Sequence, residues 1–380
     1  MFLLHFEKPI VDLNEMDVWF PEPLEADNTF AKHGEGAFSW LNRSTTERAK
    51  ACRHFLNENI AKLPKDWQPK LYKDLRDKDW FDTFFELIVA RTLQIVGASI
   101  KVEVPIEQTK KTPDFLTQFP DCTIIVEATV PKTNEEIRQH SNRNEDLIEI
   151  IESLAPEGWT VAVWRLPELG PNDSKKHFKR AIQEIFNSHR LGDSNQIVEI
   201  SSELDCGEIS LTLFPGRKGD RAVGVRGMAS GMDDTEIKIR KTVERKKKQV
   251  RKASEPVLLA IGTQPLSGGL DDFDMALFGR TYERLGYSRE TVEVGFDGDG
   301  LFAKKRTEPP TYAGVLAFTD VGWRGVPDPV LYLHPRFEGQ LPQSLDRLEH
   351  RTYIEGFGVN IRPAQGQRIL QEMNFVPDNV

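Results

Sequence analysis

The most constraining feature of the sequence is the segment from Asp79 to Val96, DWFDTFFELIVARTLQIV, which is apolar around almost the whole circumference of a helix. A helix of this kind must be covered on all sides, so it predicts a buried element inside a sizeable core. Asp79 stands at its start and Gly97 directly after its end, as helix caps require. Three strands are predicted after it, over Ile100–Ile106, Asp114–Phe119 and Thr123–Val130.

The second and third of these strands form a predicted hairpin around the turn signal Pro120-Asp121. If these two are the central turn residues, the numbers of opposed residues sum to 241, and Asp114 lies opposite Glu127. Like charges placed directly opposite each other, with side-chain roots about 4.5–5.5 Å apart, destabilise a sheet. A cation between them would remove the repulsion, and oxygen ligands suit Mg²⁺. The hairpin therefore predicts a metal site.

Thr129 and Glu86 also bear on the predicted metal site. Glu127 and Thr129 share a face of their strand, because side chains alternate with period two. Glu86 interrupts the apolar run of the buried helix, where a carboxylate costs several kcal/mol unless it is paired or bound to metal. Alternatives remain for each acid. Asp114 and Glu127 could be surface carboxylates on an exposed strand face, and Glu86 could pair with a base such as Arg91.

A basic helix is predicted from Thr235 to Lys252, and a buried strand follows from Val257 to Ile261. Nine of the fifteen residues from Lys238 to Lys252 are Lys or Arg, which indicates a solvated face or a surface that contacts phosphate. The residues that we expect on nucleic acid are Arg245, Lys247, Lys248 and Lys252.

This succession of features resembles the PD-(D/E)XK nuclease superfamily. The resemblance lies in the helix that bears Glu86, the Pro113-Asp114 pair, Glu127-Ala128-Thr129 in an apolar strand, and the later helix and strand. It implies that Asp114 and Glu127 hold Mg²⁺ or Mn²⁺, and that Glu86 supports the metal directly or through water. Asp114, Glu127 and Glu86 are therefore the predicted metal residues.

The sequence departs from the family at Thr129, where the family has a lysine that orients the attacking water and offsets charge in the transition state. Some members supply this lysine from the following helix. Here Ile239, Val243 and Val250 form the apolar stripe of that helix, and Lys246 falls in the same stripe. We therefore predict Lys246 as the migrated catalytic lysine, with Lys247 as the second choice.

The resemblance implies an α+β or α/β fold with a restriction-endonuclease-like core, in which a central mixed sheet is flanked by helices. A chain of 380 residues predicts two or three domains. We expect an N-terminal helical region over residues 1–75 and the nuclease-like core over 76–264, with an insertion at about 131–230. A C-terminal α+β region is expected over 265–380.

Composition narrows the setting of the protein. Its net charge of −9 means that contact with nucleic acid must depend on local basic patches. Three widely spaced cysteines, Cys52, Cys122 and Cys206, argue against a disulfide framework or a cysteine zinc site, and favour a reducing cytoplasm. No apolar run approaches the length that spans a bilayer, so no membrane partner is expected.

These patterns together predict a Mg²⁺-dependent endonuclease that hydrolyses phosphodiester bonds of DNA, in phage defence, restriction or repair. Two alternatives stay open. The chain could be a catalytically degenerate nuclease fold that serves as a nucleic-acid-binding or assembly module, which Thr129 favours. It could also be a subunit that needs a protein partner or a second copy of itself, with residues 265–380 as the interaction surface.

Overall fold

The structure is a computed structural model of the 380-residue chain. Four positions named above, Asp79, Ile106, Cys206 and Lys252, lie outside the residues that it describes, so the predicted cap at Asp79 stays a prediction. The described residues are 18–25, 27–29, 31, 35–76, 80–105, 112–131, 135–167, 174–189, 196–204, 207–215, 223–225, 235–250, 253–264, 268–285, 291–296, 299–302, 310–322, 328–354, 358–366 and 368–373.

The strands and helices in these ranges are numbered in chain order. The strands are β1 (Ser99–Val102), β2 (Phe115–Gln118), β3 (Thr123–Thr129), β4 (Trp159–Arg165), β5 (Val198–Leu204), β6 (Gly207–Pro215), β7 (Val223–Val225), β8 (Val257–Gly262), β9 (Thr281–Leu285), β10 (Thr291–Phe296), β11 (Gly314–Phe318), β12 (Val330–Leu333), β13 (Glu349–Ile354) and β14 (Gly358–Arg362). The helices are α1 (Ala37–Arg43), α2 (Glu47–Ala61), α3 (Gln68–Asp74), α4 (Trp80–Ile95), α5 (Glu135–Leu154), α6 (Lys175–Ser188), α7 (Thr235–Val250), α8 (Leu270–Leu277) and α9 (Ile369–Glu372), together with a 3₁₀ helix at Gln343–Arg347. None of the helices in the described ranges is long and apolar enough to cross a membrane.

The chain is a mixed α/β protein built on a central eight-stranded sheet, in the order β1-β2-β3-β8-β11-β12-β13-β14. Strands β1, β2 and β3 form an antiparallel meander. Strand β8 runs parallel to both β3 and β11, so the sheet as a whole is mixed. The prediction of a central mixed sheet flanked by helices is confirmed.

Both faces of this sheet are covered by apolar side chains. On one face, α4 packs over β3 against Ile124, Val126 and Ala128. On the other face, Ile239 and Val243 of α7 pack with Ile125, the neighbouring residue of opposite parity. Strand β3 is therefore buried on both sides, which explains its nearly continuous apolar sequence.

The predicted helix and strand boundaries agree closely with the structure, with one clear exception. The strand predicted over Ile100–Ile106 ends at Val102. The next residue, Glu103, has a φ of 52°, in the left-handed region that a non-glycine residue seldom adopts and a strand cannot contain. The alternating apolar pattern predicted the start of the strand and missed this backbone turn.

The segment between β3 and α7 builds a second, four-stranded sheet in the order β5-β6-β4-β7. Helices α5 and α6 cover one face of it, and together they bury a separate apolar cluster that includes Ile151, Phe178 and Leu211. This segment therefore has a core of its own.

The segment after β8 returns to the central sheet. Strand β11 pairs in parallel with β8, and β12, β13 and β14 extend the sheet beyond it. Strands β9 and β10 form a separate antiparallel two-stranded sheet. Half of the strands of the central sheet therefore come from residues 265–380.

Candidate active site

The β2–β3 hairpin has the register that its turn residues predict. Strand partners run from Phe115 opposite Val126 to Gln118 opposite Thr123, and the two numbers of each pair sum to 241. The backbone N–H of Phe119 donates to the carbonyl of Cys122 at 2.9 Å and closes the turn. This register brings Asp114, directly before β2, beside the end of β3.

Asp114 and Glu127 lie together at this point. The carboxylate Oδ2 of Asp114 accepts a hydrogen bond from the backbone N–H of Ala128 at 2.7 Å, which holds it against β3. Glu127 is only 4% exposed and faces the side of the sheet covered by α7. The interpretation of both as exposed surface carboxylates is wrong, because Glu127 is buried and Asp114 is largely covered.

The cation between the two carboxylates is Lys246. Its Nζ lies 2.7 Å from Oε2 of Glu127 and 3.4 Å from Oδ2 of Asp114. Burial alone would lower the pKa of Lys246, but the charges of the two carboxylates and the hydrogen bonds to them outweigh it and raise the pKa. The ammonium group therefore stays charged and offsets the repulsion between the acids.

Local sequence explains how α7 delivers this lysine. Ile239 and Val243 are fully buried, and Lys246 continues their line along the helix. The side chain of Lys246 is only 14% exposed, so most of its stem is covered while its charged end meets the acids. The structure brings together three of the predicted site residues, although Lys246 is more than a hundred positions from the two acids along the chain.

Glu86 is an electrostatic neighbour of this group. Burial and then the negative charge of Asp114 raise the pKa of Glu86 to about 8, against the smaller opposing effects of Lys70 and Lys246. The alternative pairing with Arg91 is not formed, because Arg91 donates to Asn59 and Gln94. Glu86 is thus a buried carboxyl group that a further positive charge would stabilise in its ionised form.

The donor set suits a hard divalent cation in its chemistry. Asp114 and Glu127 offer carboxylate oxygens on one face of the hairpin, the ligand type that Mg²⁺ and Mn²⁺ prefer. A metal ion would take over the neutralising role that Lys246 has here. Across the ranges that the structure covers, however, no three His, Cys, Asp or Glu side chains form a metal-binding group. Glu86 therefore stands outside the pair, and its predicted contact with metal stays a prediction.

The basic residues of α7 differ in their exposure and in their contacts. Arg245 is exposed, and its Nη2 donates to Oγ1 of Thr129 at 3.2 Å. Lys247 is half-buried. Lys248 belongs to α7, but its side chain is outside the described residues, as is the whole of Lys252. Their predicted contact with nucleic acid stays a prediction.

Two charged residues near the site carried no signal in the sequence. Lys70 of α3 forms an ion pair with Glu103. The backbone N–H of Glu103 points to the carbonyl of Asp114 at 3.4 Å, and the charge of Lys70 acts on Glu86. Lys70 lies on α3, one helix before Glu86 in the chain, and no sequence pattern links the two residues. The packing of α3 against α4 brings them near each other.

Comparisons of the chain with protein-family models, with curated proteins and with solved structures give no match.

Proposed function

We propose that this protein is a metal-dependent nuclease that cleaves phosphodiester bonds of DNA. The observation that carries the proposal is the contact of Lys246 Nζ with Glu127 and Asp114 at 2.7 and 3.4 Å. Two carboxylates on a hairpin and one lysine from a facing helix form a combination suited to phosphodiester hydrolysis. The lysine comes from α7, which compensates for Thr129 in the place of the family's lysine.

The order of elements supports a restriction-endonuclease-like core. Helix α4 precedes the meander β1-β2-β3, and α7 precedes β8, which lies parallel to β3. This resembles the helix, three strands, helix and strand of the PD-(D/E)XK superfamily. The four-stranded insertion and the strands β11–β14 would then be additions around that core.

Each residue has a distinct role in the proposed hydrolysis. Asp114 and Glu127 would hold Mg²⁺ or Mn²⁺, which supplies Lewis-acid polarisation of the scissile phosphate and a water of lowered pKa. Lys246 would offset the negative charge that develops on the phosphate in the transition state. Glu86 would add a third negative charge near Asp114 once it ionises. Water adds to phosphorus, the bond to the leaving oxygen breaks, and that oxygen takes up a proton.

A second candidate function is a non-catalytic nucleic-acid-binding or assembly module. The observation that favours it is the same ion pair, because Lys246 already neutralises the two carboxylates without any metal. The net charge of −9 also suits a subunit that acts with a protein partner better than a free-standing DNA enzyme.

Cleavage and metal titration separate the two. The protein would be incubated with plasmid, linear duplex, single-stranded DNA and RNA in Mg²⁺, Mn²⁺ or EDTA, alone and with any co-purified partner. We expect cleavage only with metal, loss of cleavage in Glu127→Gln, and no change in Lys241→Ala, an exposed lysine of the same helix. Calorimetric titration of Mg²⁺ into wild type and Glu127→Gln gives the binding result independently. Metal binding without cleavage of any substrate would transfer the assignment to the binding module.

A further inference from the structure

Beyond the carboxylate pair, the next residue of β3 on the same face is Thr129. Its hydroxyl accepts the hydrogen bond from Arg245 Nη2, across 116 residues of sequence. Lys246 and Arg245 are neighbours on α7, and they contact β3 residues of the same parity, Glu127 and Thr129. Same-face positions on a strand are about 6.6 Å apart. Helix α7 therefore places two cations in line along the end of β3.

The two cations differ in what surrounds them. The ammonium of Lys246 is buried and neutralised by two carboxylates. The guanidinium of Arg245 is exposed, and its partner is the neutral hydroxyl of Thr129. Among the residues that the structure covers, no carboxylate pairs with Arg245. A hydroxyl restrains the orientation of the guanidinium and leaves its full charge for another ligand.

The chemistry of that ligand follows from the guanidinium itself. Arginine has five N–H donors in a planar fork, and one bond to Thr129 leaves the others able to bind an oxyanion. Phosphate is the oxyanion whose geometry this fork matches in two parallel hydrogen bonds. A lysine in place of Thr129 would add an ammonium group, and so a third positive charge, beside Arg245 and Lys246, so threonine suits a site whose cations come from α7.

We propose that Arg245, oriented by the hydroxyl of Thr129, binds the phosphate group that is cleaved. The proposal rests on the proposed nuclease function and names the phosphate-binding group of that same site. Arg245 is then a catalytic residue, since it touches the substrate, and Thr129 is a positioning residue that acts through it. In this chain, Thr129 takes the place of the family's lysine and would orient Arg245.

Single-turnover cleavage and metal-free DNA binding test this in four variants: Arg245→Ala, Arg245→Lys, Thr129→Val and the double variant Arg245→Ala/Thr129→Val. We expect Arg245→Ala to slow cleavage about 10²-fold, as loss of one charge-stabilising group does. Arg245→Lys keeps the charge and loses the fork, so it should recover only part of the rate. Thr129→Val should slow cleavage about 10-fold and leave DNA affinity in EDTA and its salt dependence unchanged, because the charge is retained.

The double variant decides whether the two residues act as a unit. If Thr129 works through Arg245, the double variant is no slower than Arg245→Ala, since effects of residues in contact do not add. Independent effects that multiply would overturn the proposal, as would a wild-type rate in Arg245→Ala or in Thr129→Val. Lys241→Ala is the matched control for a lost charge on α7. If wild type and Arg245→Ala cleave equally well, this inference is refuted and the proposed nuclease function is not. A wild type that cleaves nothing with Mg²⁺ or Mn²⁺ refutes the nuclease function and this inference with it.

Discussion

Replacing Glu86 by Gln should make the protein more stable at neutral and alkaline pH, with little effect below about pH 4.5. The folded state holds the pKa of Glu86 at about 8, whereas a carboxyl group in the unfolded chain ionises near its ordinary value of 4.5. The causes are burial first and the charge of Asp114 second. Folding therefore has to keep a proton on Glu86 that the unfolded chain releases, and this costs free energy wherever the unfolded group is ionised.

The sign and the size follow from linkage. Because the folded pKa is raised, stability from this group is complete below the unfolded value and is lost as pH rises through the folded value. One pKa unit corresponds to about 1.4 kcal/mol, so the loss reaches about 3 kcal/mol at neutral pH. Between about pH 5 and about pH 8, wild type should lose about 3–4 kcal/mol through Glu86. Glutamine cannot ionise, so Glu86→Gln should escape this loss.

Denaturant unfolding at several pH values, in EDTA, measures the effect as the difference in free energy of unfolding between variant and wild type. That difference should grow with pH and level off above about pH 8. Glu157→Gln, which removes an exposed acid just before β4, is the matched control and should follow wild type throughout. A constant difference between Glu86→Gln and wild type over this range would refute the raised pKa and with it the electrostatic link to Asp114.

Three further predictions concern single substitutions. Lys246→Ala should slow cleavage about 10²–10³-fold, and should lower the free energy of unfolding in EDTA by about 3 kcal/mol because it leaves two carboxylates without their cation. Added Mg²⁺ should restore more stability to this variant than to wild type, and Lys241→Ala should behave as wild type in both measurements. Thr46→Ala removes the side-chain cap of α2 and should cost about 1 kcal/mol in denaturant unfolding; a cost below the error of the measurement would contradict the cap. Gly314→Ala should lower the free energy of unfolding by more than about 3 kcal/mol, or prevent folding. The added Cβ would lie 2.4 Å from the backbone carbonyl oxygen of Tyr332, and the paired strands cannot move apart at low cost. A circular dichroism spectrum and a melting curve close to those of wild type would contradict this prediction.

The elements of the fold were largely readable from local patterns. The apolar circumference of Asp79–Val96 predicted α4, and the turn pair Pro120-Asp121 predicted the register of β2 on β3. These predictions succeed because helix and strand periodicity, caps and turn residues act within a few positions of the chain. The apolar stripe of Ile239 and Val243 likewise predicted that Lys246 lies on the inner side of α7.

How these elements contact one another depends on packing between distant parts of the chain. This packing placed the strands from β11 to β14 in the central sheet, ended β1 at Val102 before a left-handed Glu103, and set Lys70 near Glu86. It also brought Arg245 into hydrogen-bond contact with Thr129, which no local sequence pattern predicts. Such contacts depend on which faces pack together over long sequence separations. Local sequence sets which residues near the site can carry charge, and long-range packing sets which of those charges come into contact.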